Sequence, residues 1–252
     1  MTTTFSKKNK TVDVYRRLLK YPPFAVSRKA GTMTIKHKLK HGGEITAACL
    51  EHVTTEDAEK LYALCYIVQK NKTYNIIQTE KFDKIAELTA NIWDIRKIVN
   101  CNDDMYIYKA IDRIAGIKIS YNFGKNKSST HIIHAVKFNK ATGEINVLMP
   151  LDMFRNFETK ALNIDIEKYS KVSATAKNIY GYISTNSGNI FNEDLIAERA
   201  VIQNNSNRKC EMQRAIKRAF NELKKEHIIK DFQISKINGK RQIIIDKFEN
   251  IN

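Results

Sequence analysis

The stretch from Asn192 to Asp246 constrains the fold most, because its hydrophobic period switches from helical to extended at one point. Within Glu193–Ala200, the residues Leu195, Ile196 and Ala200 keep a short amphipathic spacing. The following VIQNNSN is polar. Asn204, Asn205 and Ser206 tolerate turn geometry there, and Ser206 is a candidate N-cap for the next helix. In that helix Met212, Ile216, Ala219, Phe220 and Leu223 recur at i, i+4, i+7, i+8 and i+11, which makes one buried stripe. At about 100° per residue the opposite face carries Asn207, Glu211, Arg214, Arg218 and Lys225, with Arg208, Lys209 and Lys217 on its flanks. After His227 the pattern alternates, Asn238-Gly239 marks a hairpin, and Arg241 to Asp246 is the return strand. Helix, turn, longer helix and two-stranded wing is the order of a winged helix-turn-helix, which sets one helix in the major groove of DNA. The plain alternative is a solvated basic face on an α/β domain.

The charge balance favours the first reading. The 252 residues carry 43 Lys and Arg against 27 Asp and Glu, a formal charge of +16. Such an excess suits a polyanion, either nucleic acid or an anionic membrane surface. No apolar run approaches the roughly 18 residues a membrane span needs, and MTTTFSKKNKTVDVYRR has no signal-peptide core. Cys49, Cys65, Cys101 and Cys210 are scattered without a C-x-x-C pair. They read as reduced, mostly buried thiols of a cytoplasmic protein and not as a disulfide frame or zinc site.

Upstream, residues 1–30 form a basic arm, with Lys7, Lys8, Lys10, Arg16, Arg17, Lys20, Arg28 and Lys29, in which Val14, Leu18 and Leu19 give a short helix. Thr32–Lys40 alternates with Met33, Ile35, His37 and Leu39 on one side; Gly42-Gly43 turns, and Glu44–Leu50 returns as a hairpin. Thr54 and Asp57 have capping-box spacing ahead of a helix with Leu61, Leu64, Cys65 and Val68 in its stripe. Thr73–Gln78 reads as a strand and Phe82–Leu88 as a helix. Asn91–Val99 and Asp104–Gly116 are helices, with Gly116 as C-cap. Ile117–Phe123 and Thr130–Phe138 flank a basic loop as a wing, and Glu144–Met149 adds a third strand. Met149–Lys168 links to a helix over Lys171–Ser184. The order helix, helix, turn, helix, wing therefore occurs twice. The expected fold class is α+β with two tandem winged helix-turn-helix domains, at 31–160 with the leading β-hairpin and at 161–252.

Three segments carry a family resemblance: TIKHKLKHGGEITAACLEHVTTEDAEKLYALCYIV, YIYKAIDRIAGIKISYNFGKNKSSTHIIHAVKF, and YSKVSATAKNIYGYIS with FNEDLIAERAV and NRKCEMQRAIKRAFNELKKEHIIKDFQI. Over roughly residues 32–246 the chain resembles the iteron-binding plasmid replication initiators. It is most similar to the RepC-type initiators of IncQ-like plasmids, with the TrfA initiators and the wider Rep initiator family as broader relatives. The segment near Thr73–Ala90 departs from that pattern. The resemblance implies two winged-helix domains astride adjacent major grooves of each double-stranded iteron, melting of an AT-rich origin and loading of a replicative helicase. It further implies primase as a partner and a monomer–homodimer control.

The motifs of a catalytic protein are missing from the sequence. His131-Ile-Ile-His134 lacks the spacing of a rolling-circle metal pair, and positions three apart on a strand face opposite sides. No Walker A loop, G-x-S-x-G or zinc finger occurs. The expectation is a non-enzymatic protein with no catalytic residue, metal or cofactor, and no membrane partner. The candidate DNA contacts are Asn207, Arg208, Lys209, Glu211, Arg214, Lys217 and Arg218 on the second-domain helix, and Lys236, Lys240 and Arg241 on its wing. In the first domain they are Lys109 and Arg113, read as outward on the helix, with Tyr106 and Tyr108, which equally fit the core, and Lys125 and Lys127 in the wing. A winged-helix transcriptional repressor binding its operator is the alternative function. An RNA-binding or ribosome-associated protein is a third, and lacks aromatic stacking motifs here.

Overall fold

The computed structural model describes residues 11–26, 31–39, 43–78, 84–123, 126–159, 161–200 and 209–247. The fold is mixed α+β, and the strand ladders among the described residues are antiparallel. Its centre is α2 (Thr55–Asn71), which is buried on nearly every side. The capping box at its start forms as expected: Thr54 N–H donates to Asp57 Oδ2 (2.9 Å), and Asp57 N–H donates to Thr54 Oγ1 (3.3 Å). Leu61, Tyr62, Leu64 and Cys65 are almost wholly inaccessible. Each large side chain so buried contributes about 1.5–3 kcal/mol.

Around α2 the chain builds one unit. It comprises β4 (Tyr74–Ile77), β5 (Ile85–Asn91), α3 (Ile92–Val99), α4 (Asp104–Ala115), β8 (Ala135–Asn139) and β9 (Glu144–Pro150). The sheet order is β4-β5-β9-β8. A second unit follows, with α7 (Ala174–Ser184), β11 (Ile190–Asn192), α8 (Glu193–Arg199), α9 (Lys209–Lys225), β12 (Asp231–Ile237) and β13 (Lys240–Asp246). Its sheet order is β11-β13-β12. In the second unit the last strand, β13, lies between β11 and β12, and in the first the last strand, β9, lies likewise between β5 and β8, with β4 added at the outer edge of β5. Both also place an asparagine where a strand, β5 or β11, runs into the following helix: Asn91 Oδ1 accepts from Trp93 N–H (2.9 Å), and Asn192 Oδ1 accepts from Asp194 N–H (2.9 Å).

The expected alternation of elements is corrected in several places. Of the helix expected over Phe82–Leu88, Phe82 and Asp83 lie outside the described residues, and Ile85–Leu88 belongs to β5, paired along β9 from Ile85↔Pro150 to Asn91↔Glu144. Seven residues with only Phe82, Ile85, Ala86 and Leu88 apolar are too few to separate a strand period from a helical one, and pairing decided it. The hairpin read as the first wing is also elsewhere. β6 (Lys118–Phe123) and β7 (Asn126–His131) join β2 (Met33–Lys38) and β3 (Glu44–Cys49) in a separate sheet of order β2-β3-β6-β7. The expected strand Thr130–Phe138 breaks at Ile132–His134 and changes sheet, because Ile132 and Ile133 both enter the core. The first-unit counterpart of β12–β13 is thus β8–β9, closed by the turn Lys140–Gly143.

The two flanks of the chain are tied together. Residues 11–26, expected within a basic arm, include β1 (Thr11–Tyr15) and α1 (Arg16–Lys20). β1 pairs with β10 (Ala161–Asp165), so the presumed linker holds a strand between α5 (Leu151–Thr159) and α6 (Ile166–Lys171). α1 lies against α7 at Gly181, where an added Cβ would sit 3.0 Å from the Leu19 carbonyl oxygen. Residues 1–10 and 27–30 of the arm lie outside the described residues. Gly116 does cap α4, but with right-handed φ of −73°, and an added Cβ would meet Cys49 Sγ at 3.0 Å.

The units meet along α2 and α7, their first helices. Thr55 Oγ1 donates to Asn178 Oδ1 (2.9 Å), and Lys177 pairs with Glu59 with both side chains at most 5% exposed. A second clasp joins α8 to β2. Arg199 Nη2 donates to the Lys38 carbonyl (2.6 Å), and its guanidinium lies 4.7 Å over the Tyr21 ring. Cys49 and Cys65 are buried as expected, Cys101 is half-buried and Cys210 exposed.

Candidate nucleic-acid interface

The helix α9 is amphipathic as its spacing requires. Met212, Ile216, Ala219, Phe220 and Leu223 are buried, and Lys209, Glu211, Arg214, Lys217 and Arg218 are exposed. Six cations stand on α9, at Lys209, Arg214, Lys217, Arg218, Lys224 and Lys225, against Glu211 and Glu222. Arg214, Lys217 and Arg218 are held by no carboxylate among the described residues. Asn207 and Arg208, the first residues of the predicted reading face, lie outside the described residues, as does Ser206.

The back of α9 is held on three sides. Phe220 stacks on Phe232 of β12 with centroids 5.2 Å apart. The backbone N–H of Ser173, the N-cap of α7, donates to Glu222 Oε2 (2.8 Å). Glu193 is almost fully buried at the start of α8, and its Oε2 accepts from Arg241 Nε (2.8 Å) and Gln213 Nε2 (3.2 Å). That one carboxylate fixes α8, α9 and β13 relative to one another. It also engages Arg241, expected as a phosphate contact, through Nε, and leaves that side chain about one-third exposed. The hydrogen bond to Glu193 raises the Arg241 pKa further above its ordinary value. Nothing in the local sequence pairs positions 193 and 241.

The hairpin itself forms as predicted. Ile237↔Lys240 closes a two-residue turn with φ of 51° at Asn238 and 74° at Gly239, the left-handed pair a type I′ turn requires. Lys236 and Lys240 are exposed at its tip. At its base the Lys224 ammonium lies 2.8 Å from Asp231, and this hydrogen bond holds the Asp231 carboxyl below its ordinary pKa.

The first unit differs. α4 carries Lys109 and Arg113 against Asp104 and Asp112, a balanced pair of charges. Lys109 is exposed. Arg113, expected on the outward face, turns instead to α2, where its Nη2 donates to the fully buried Asp57 Oδ1 (2.6 Å). The helical wheel allowed the outward reading; the unmet charge of Asp57 overrides it. Tyr108 stacks on Phe138 (5.4 Å), and Lys60 lies 5.2 Å over the Tyr106 ring, so both tyrosines serve packing. Lys127 is exposed but stands on β7, in the sheet apart from α4 and its hairpin. Lys125 lies outside the described residues. The cations on the hairpin that does flank α4 are the exposed Lys137 and Lys140. The turn Asn139–Gly143 was their signal in the sequence.

Among the described residues no cluster of three metal-ligating side chains occurs, and no helix is long and apolar enough to cross a membrane. Comparison with protein families and with curated proteins gives no match to this chain.

Proposed function

We propose that the chain is a plasmid replication initiator that binds repeated double-stranded sites through two winged-helix units. The observation that carries this reading is the order of helix, strand, helix, helix and two strands in the second unit, which the first repeats once β4 and the inserted β6–β7 hairpin are set aside, each with its last strand between two others and the second copy presenting a strongly basic third helix. α9 enters the major groove, where Arg214 and Arg218 reach base edges. Lys209, Lys217, Lys236 and Lys240 neutralise phosphates and supply the salt-dependent part of binding. Lys109, Lys137 and Lys140 seat the first unit on the backbone of the adjoining turn. Helicase and primase recruitment belong to the same reading through the family resemblance. The charge balance of α4 favours a second reading, a repressor with one reading head per subunit.

Selection of duplexes from a random library at physiological salt separates the two, followed by fluorescence anisotropy. A directly repeated motif spanning about two helical turns supports the initiator, and a palindrome supports the repressor. Arg214→Ala costs about 1–3 kcal/mol and relaxes base preference; Lys217→Ala lowers the salt slope by about 0.9 and leaves preference intact. Equal, sequence-blind losses from both variants refute α9 as the reader.

A further inference from the structure

A second basic feature lies away from α9. Where the chain passes from β7 to β8 it opens a cavity of about 710 Å³ against the start of α5. That volume is within the roughly 300–1,000 Å³ of small-molecule sites. Lys84, Lys118, His131, His134 and Arg155 line it, with Asp152 the one acid among the lining residues. The sequence spacing put the two histidines on opposite faces. The break at Ile132–Ile133 instead brings their rings to 6.4 Å between centroids, tilted by 56°. Lys118 is the cross-strand partner of His131 in the β6–β7 register, so both belong to one face of the sheet. The backbone holds the pair in place, since His134 N–H donates to the Leu148 carbonyl at 2.7 Å.

We infer that this cavity binds the phosphate group of a ligand. Its chemistry is that of an oxyanion site: Lys84, Lys118 and Arg155 less Asp152 leave two positive charges with both imidazoles neutral, and four with both protonated. Ammonium, guanidinium and imidazolium donors all make charge-assisted hydrogen bonds to phosphate oxygens. Burial and the neighbouring His131 both hold the His134 pKa below its ordinary value. A bound anion offsets the repulsion between the rings and favours their protonated forms, so binding takes up protons. The groups facing the histidines are the two lysines, Arg155 and Asp152. This site is independent of the duplex reading assigned to α9.

The test is calorimetric titration of the full chain with pyrophosphate, alongside an oligothymidylate with hydroxyl groups at both ends. Binding at one site, with the His134 ring pKa raised in NMR titrations of the complex, is the expected result. The double variant His131→Gln/His134→Gln and, separately, Lys118→Gln weaken it by about tenfold or more while melting as the parent does. Arg214→Ala leaves pyrophosphate affinity unchanged. Competition by the oligothymidylate assigns the phosphate to a nucleic-acid backbone; its absence assigns a terminal phosphate of a small ligand. Failure of both probes to bind overturns the proposal. So does pyrophosphate binding that survives the double variant, or that is lost with Arg214→Ala.

Discussion

Replacing Lys177 by Met strips the cation from the buried pair that joins α7 to α2. The partner, Glu59, then sits at the interface with its carboxylate desolvated and Lys60 as the remaining cation near it. Breaking a buried pair in this way costs about 3–5 kcal/mol. For a chain of this size each kcal/mol moves the melting temperature by about 2–4 °C, so a fall of roughly 6–20 °C is expected. The pH dependence identifies the cause. Burial already holds the Glu59 carboxyl above its ordinary range, against the pull of Lys177; without Lys177 it rises further. A folded-state pKa above the unfolded value of about 4.3 means the folded protein binds the extra proton. The variant is therefore most stable below that value and loses up to about 1.4 kcal/mol per unit as pH rises above it. Urea denaturation followed by circular dichroism at pH 5 and pH 8 measures both effects. The double variant Lys177→Met/Glu59→Leu recovers most of the loss, because an apolar pair of similar volume carries no desolvation penalty. A single-variant loss under about 1 kcal/mol at pH 8, against the cost given above, or one independent of pH, refutes the argument.

His37 gives a second pH signature. Its Nε2 donates to the Pro22 carbonyl (2.9 Å), and burial, only partly opposed by that hydrogen bond, lowers its pKa to about 4. The unfolded chain binds the proton first, so stability is complete above about pH 6.5 and falls by on the order of 3 kcal/mol as pH drops toward 4. A His37 imidazole resonance that titrates near 6.5 in the folded protein would contradict this. Glu193→Gln leaves Arg241 without its buried carboxylate and weakens the tie between α8, α9 and β13. A loss of about 1–3 kcal/mol is expected, with faster amide exchange along β13 and, if the proposed function holds, weaker duplex binding; unchanged exchange would show that the carboxylate does not hold the β12–β13 hairpin.

Features set by neighbours in the chain were legible in the residues themselves. The apolar stripe of α9, the Thr54–Asp57 capping box and the Asn238-Gly239 turn each depend on a few consecutive positions, and each forms as read. The exposed residues Lys209, Glu211, Arg214, Lys217 and Arg218 follow from the stripe alone, because a helix buried on one side presents its remainder to solvent. The alternation of β2, with Met33, Ile35 and His37 inward, was equally plain.

What depends on distant partners was not. Strand identity in β5 rests on β9, more than fifty positions later in the numbering, and the split of β7 from β8 rests on two isoleucines reaching a core that includes other segments. The same holds for the candidate site. Charge and helical phase put Arg113 and Arg241 on the DNA-facing list, yet buried carboxylates at Asp57 and Glu193 claim both. A long cation pairs with a desolvated charge before it serves a solvent-facing surface, since an uncompensated buried carboxylate costs far more than a lost surface contact. The sequence alone therefore determined which helix is basic and where the chain turns. Tertiary structure decided which cations remain available, which hairpin flanks each helix, and that His131 and His134 share one cavity, because those outcomes depend on contacts the linear order does not encode locally.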